Sequence, residues 1–60
     1  MTVSECYVIL GSPDKAFEQY SDADLEALYF VICERDPAVV SRENMIRMLN
    51  SKRARLMKRG

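Results

Sequence analysis

Apolar residues crowd into one stretch, Leu25 to Arg35, and run unbroken through its middle from Leu28 to Cys33. At the helical turn of about 100° per residue, Leu25, Leu28, Tyr29 and Ile32 fall on one stripe, the i, i+3, i+4, i+7 pattern of a core-facing helix. Phe30 and Val31 fall on the other side, near Ala27. A helix over residues 21–35 is therefore predicted, with Ser21 as its N-cap and Asp22, Asp24 and Glu26 loading the positive end of its dipole. Asp36-Pro37 ends it, because a residue before proline is pushed out of helical geometry. A helix that is apolar on both flanks must bury two faces. Sixty residues offer little to cover both, so a second copy or a partner is expected on the second face.

The pattern elsewhere predicts shorter pieces. Residues 2–10 carry two signals: Thr2 and Glu5 have capping-box spacing, while Tyr7, Val8 and Ile9 suit a strand. The chain holds no second strand for them to pair with, so a short helix is the reading taken. Gly11 closes this segment. Ser12-Pro13-Asp14 reads as another helix start, with Ser as cap and Pro at the first helical position, and predicts a short helix over residues 13–19 with Ala16, Phe17 and Tyr20 on its apolar side. Residues 36–41 form a connector in which Asp36-Pro37 can itself start one turn of helix. Ser41 caps a final basic helix over residues 42–59, whose inward stripe is Met45, Ile46, Leu49 and Leu56, flanked by Met48 and Met57. The expected fold is all-α, one small domain over residues 1–60. It is an antiparallel helical hairpin (residues 21–35 against 42–59) with a short N-terminal helical arm over residues 1–20, assembled as a homodimer.

Size sharpens the expectation of a partner. A core this small rarely supplies more than roughly 3–5 kcal/mol, and such chains usually add a disulfide, a metal or an associate. Cys6 and Cys33 could make one bridge at most. The N-terminus lacks the basic start and long apolar core of a secretion signal, and no run approaches the roughly 18 apolar residues of a membrane span. A cytoplasmic location with two buried thiols is expected. There is no histidine, and two lone cysteines match no zinc spacing. Association is the staple that remains.

Charge adds a second reading. The net charge is zero, but residues 1–40 hold eight acids against two bases, and residues 41–60 hold seven bases against one acid. The halves either attract each other, within a chain or between chains, or the basic end meets an acidic surface or a polyanion. The basic residues are Arg42, Arg47, Lys52, Arg53, Arg55, Lys58 and Arg59. A DNA reading makes residues 42–48 and 52–59 the two helices of a helix-turn-helix, with Leu49-Asn50-Ser51 as the turn. Against it, the turn has no glycine, the stripe fits one uninterrupted helix equally well, and the aromatics lie outside the basic segment. Catalysis finds no support: there is no histidine base, no activating neighbour for either cysteine, and no glycine-rich phosphate loop. No cofactor or small-molecule substrate is expected, and a membrane-surface role lacks an aromatic anchor in the last helix. The sequence thus reads as a non-enzymatic regulator that binds a protein or itself through Tyr29, Phe30, Val31, Met45 and Met48, with DNA binding through the basic helix as the alternative.

Residues 25–49, from the apolar helix through AVVSRENMIRML, resemble the small enterobacterial biofilm-regulator and connector proteins of the YmgB/AriR type. Ser41-Arg42 matches the start of that family's second helix, and Met45, Ile46 and Leu49 match its apolar stripe. Residues 15–20 vaguely resemble the segment before the helices. The resemblance implies an all-α homodimer that modulates biofilm and stress genes through a signalling relay without enzyme activity. It transfers no catalytic residue.

Overall fold

The computed structural model describes residues 1–58; Arg59, counted above among the basic residues, lies outside the described residues. Three α-helices form: α1 Val3–Leu10, α2 Asp22–Cys33 and α3 Arg42–Met57. There is no strand among the described residues, so the all-α expectation holds.

Each helix starts where its capping residue predicts. Thr2 makes the full capping box: the Glu5 amide donates to its hydroxyl at 3.2 Å, and its own amide donates to Glu5 Oε1 at 2.8 Å. The reciprocal bond decides the ambiguous residues 2–10 in favour of helix. Ser21 and Ser41 accept from the amides of Asp24 and Asn44. Asp36 caps a single 3-10 turn, Pro37–Val39, accepting from the Ala38 amide at 2.9 Å.

Two helix ends differ from expectation. Ser12-Pro13-Asp14 starts no helix; residues 12–16 are turn and coil, and only Phe17–Gln19 closes one 3-10 turn. The Ser12 hydroxyl turns back to donate to the Val8 carbonyl at 2.7 Å, so it finishes α1 instead of capping a new helix. α2 ends at Cys33, not Arg35, because Glu34 adopts left-handed geometry (φ 56°, ψ 41°).

The relative sense of α2 and α3 is the larger difference. Arg42, in the first turn of α3, donates to Asp22 Oδ1 in the first turn of α2 at 2.6 Å. Some ten residues further along each helix, Ile32 and Lys52 wall the same groove. The two helices therefore share their N-terminal end, and residues 34–41 run back along α2 instead of reversing the chain tightly as an antiparallel hairpin would. The 3-10 turn Pro37–Val39 packs on α2 during this return. Eight residues have ample reach for it, at up to about 3.3–3.6 Å each. α1 packs on both longer helices near their C-terminal ends.

The core joins all of these. Leu25, Leu28, Tyr29 and Ile32 of α2 meet Met45 and Leu49 of α3, Cys6 and Leu10 of α1, and Phe17 from the loop between α1 and α2. Leu56 was expected to extend the α3 stripe inward but is 43% exposed; the buried position after Leu49 is Arg53.

Candidate partner-binding groove

Val3 and Tyr7 stand one turn apart on α1 and flank its buried pair, Cys6 and Leu10. Across from them α2 presents Phe30, Val31 and Glu34, and the five side chains line an open groove. The helical stripe explains the arrangement. With Leu25, Leu28, Tyr29 and Ile32 turned inward, Phe30 lies well away from the core direction and is 62% exposed. Val31 lies between and is half-buried. Tyr7 also walls a second groove, with Leu10, Ile32, Lys52, Arg55 and Leu56. The two grooves thus share one aromatic wall. One is edged by an acid and the other by two bases.

This placement divides the apolar residues expected at a partner surface. Phe30 and Val31 line the groove. Tyr29 and Met45 do not belong to the surface: each is 3% exposed and packed in the core, because each sits on its helix's inward stripe. Met48 is exposed on α3, one turn before Lys52 and two before Arg55, and so adjoins the second groove from outside its lining. The sequence reading missed Val3, Tyr7, Glu34 and Leu56. Val3 and Tyr7 were legible as an i, i+4 apolar pair once residues 2–10 are helical. Glu34 had no signal, because left-handed geometry at a glutamate is not readable from sequence.

The basic residues divide as well. Arg53 is buried and is no binding residue. Its Nε donates to the Leu10 carbonyl at 2.9 Å, one terminal nitrogen to Ile9 at 2.7 Å and the other to Lys15 at 3.1 Å. Its guanidinium stacks over the Phe17 ring at 3.9 Å. It closes the C-terminus of α1, where helix carbonyls lack partners and the dipole favours a cation. Arg42 is tied to Asp22 and to the carbonyls of Glu18 and Tyr20. The two arginines thus pin the loop between α1 and α2 onto α3. The pair Arg42–Asp22 is the only ion pair among the described residues, so close pairing between the charged halves is limited to that one contact. Arg47, Arg55 and Lys58 are exposed on α3 and Lys52 is half-buried; Lys52 and Arg55 line the second groove. α3 is continuous through Leu49, Asn50 and Ser51, which removes the turn of a helix-turn-helix.

Both thiols are unbridged. Cys6 is fully buried and Cys33 only partly, so the expectation of two buried thiols holds for the first. Burial pushes both thiols up; at Cys33 the nearby charges of Lys52 and Arg35 oppose this in part. Neither is thereby made more nucleophilic at neutral pH. No group of three metal-ligating side chains, and no helix long and apolar enough to cross a membrane, occurs among the described residues.

Comparison with protein-family models, with curated proteins and with solved structures finds no match for this chain.

Proposed function

We propose that the protein is a non-enzymatic regulator that acts by docking a protein surface in the groove between α1 and α2. The observation that carries this reading is the exposure of Tyr7 and Phe30 on opposing walls of one apolar groove. Aromatic side chains in a groove are the usual anchors of protein interfaces, and leaving both in water has no folding advantage. The resemblance to biofilm-connector proteins agrees with such a role in bacterial signalling, in the cytoplasm, but adds no residue to it. DNA binding is the weaker reading, since Arg53 and Arg42 are occupied within the fold.

The test is site-specific photo-crosslinking in cells that make the protein. A photoreactive residue replaces Phe30 in one variant and Glu43, exposed on the first turn of α3, in a control. A discrete protein adduct from the Phe30 position and none from the Glu43 position is expected. Equal, diffuse adducts from both would overturn the reading.

A further inference from the structure

We propose that the occupant of the groove is a second copy of this chain, turned about a two-fold axis so that Glu34 of each copy faces Lys52 and Arg55 of the other. This rests on the docking reading above and names its partner.

The order of groups across the surface carries the argument. On one side of Tyr7 lie Phe30, Val31 and Glu34; on the other lie Leu56, Lys52 and Arg55. A groove that carries an acid and a groove that carries two bases are thus joined at Tyr7, with apolar side chains in both. Turned by 180°, such a surface meets its own complement, which is what an isologous dimer requires. An acidic foreign protein would suit Lys52 and Arg55 but would set like charge against Glu34. A basic one would do the reverse.

The charge balance points the same way. The acid-rich residues 1–40 and the base-rich residues 41–60 would neutralise each other by attraction, yet one ion pair is all that the described residues make. A second copy brings the missing complement of both signs. Glu34 adds an independent sign. Among the described residues it is the only non-glycine residue at positive φ, at a helix end where glycine is the usual choice. That left-handed turn closes α2 with Glu34 in the lining of the groove, where glycine would have left it without an acid.

The experiment is sedimentation equilibrium from about 1 µM to about 200 µM on the wild type, on Glu34→Lys, on Arg55→Glu, and on an equimolar mixture of the two variants. The wild type is expected to dimerise. Each variant alone sets like charges together at both symmetry-related contacts and should dissociate at least about tenfold more readily. The mixture restores opposite charges at both contacts, and should return to within about threefold of wild type. Phe30→Asp should remain monomeric, and circular dichroism on every variant checks that helicity is kept. A wild type that stays monomeric at the highest concentration overturns the proposal, as does a mixture no tighter than its components or a Phe30→Asp chain that dimerises like wild type. If the Phe30 crosslink has the mass of this chain plus a different protein, the groove reading stands and the second copy falls. If no adduct forms and the wild type is monomeric, both fall.

Discussion

The two ends of α1 are finished in opposite ways. At its C-terminus the carbonyls of Ile9 and Leu10 meet a buried guanidinium that also stacks on Phe17 and holds Lys15. Towards its N-terminus Val3 and Tyr7 face an open apolar groove. The first region places a charge inside and satisfies every donor it has room for; the second places aromatics outside with nothing over them. Burial and chemistry are thus crossed relative to the simple rule of apolar inside and charged outside. A buried polar group is costly unless bonded, so Arg53 is held at the C-terminus of α1, where the carbonyls of Leu10 and Ile9 accept from it. The exposed aromatics Tyr7 and Phe30 are what the proposed docking would cover, so one region holds the fold and the other is the proposed site.

The comparison is tested most severely at Arg53. Arg53→Ala leaves the Leu10 and Lys15 carbonyls without their side-chain donor, takes one of two donors from the Ile9 carbonyl, which also accepts from the Ser12 amide at 3.1 Å, and removes the cover of Phe17. About 3 kcal/mol should be lost, a large share of what so small a core can supply, and urea titration followed by circular dichroism should show a substantially unfolded chain. Arg53→Lys should lose less, since it keeps charge but not the fork. No loss in the alanine variant would remove the structural corner from the comparison.

At the other end of α1, Thr2→Ala breaks the capping box and should cost about 1 kcal/mol, seen as fraying of α1 in amide exchange. The same bonds set a pH dependence. The Thr2 backbone bond, and then its side chain, hold the Glu5 carboxyl below its ordinary range. The stabilisation is complete above the unfolded-state pKa and is lost as pH falls through the lower folded value. α1 exchange should therefore accelerate in acid below the ordinary glutamate range, and in Thr2→Ala this dependence should shrink.

Glu34→Gly separates stability from function in one substitution. Glycine relieves the left-handed residue and should stabilise the fold by up to about 1 kcal/mol. It also removes the acidic rim, so association should weaken. A variant more stable yet equally associated would show that Glu34 serves neither the groove nor a partner. The smallest effect belongs to Phe30→Ser, which at dilute concentration should change stability by no more than about 0.5 kcal/mol while the photo-crosslink or self-association is lost. A large thermal loss would mean that Phe30 belongs to the core after all.

The helix starts were the most legible part of the fold. Thr2, Ser21, Asp36 and Ser41 each cap through a bond within two or three residues, and local bonds follow from local sequence. Ser12 shows the limit of that logic. Its spacing reads as a cap, but its hydroxyl found the Val8 carbonyl behind it. The groove was half legible. Phe30 and Val31 follow from the phase of the α2 stripe, but their opposing wall needed the position of α1, which no periodicity states. Tyr29 and Met45 were placed outside for their size and chemistry, although their own stripes turned them inward.

By itself the sequence determined the capped starts of the three helices that form, an α2 that is apolar on both flanks, and an uneven spread of charge. These are properties of neighbours along the chain. Only the tertiary structure decided that α2 and α3 run with their first turns together, that Arg53 is a cap on α1 forty-odd residues earlier, and that the two charged halves meet in a single ion pair, Arg42–Asp22, among the described residues. Each of those depends on contacts between distant segments. Such contacts are set by which carbonyls, rings and guanidinium groups come within bonding distance once the helices pack, and no spacing along the chain encodes that distance.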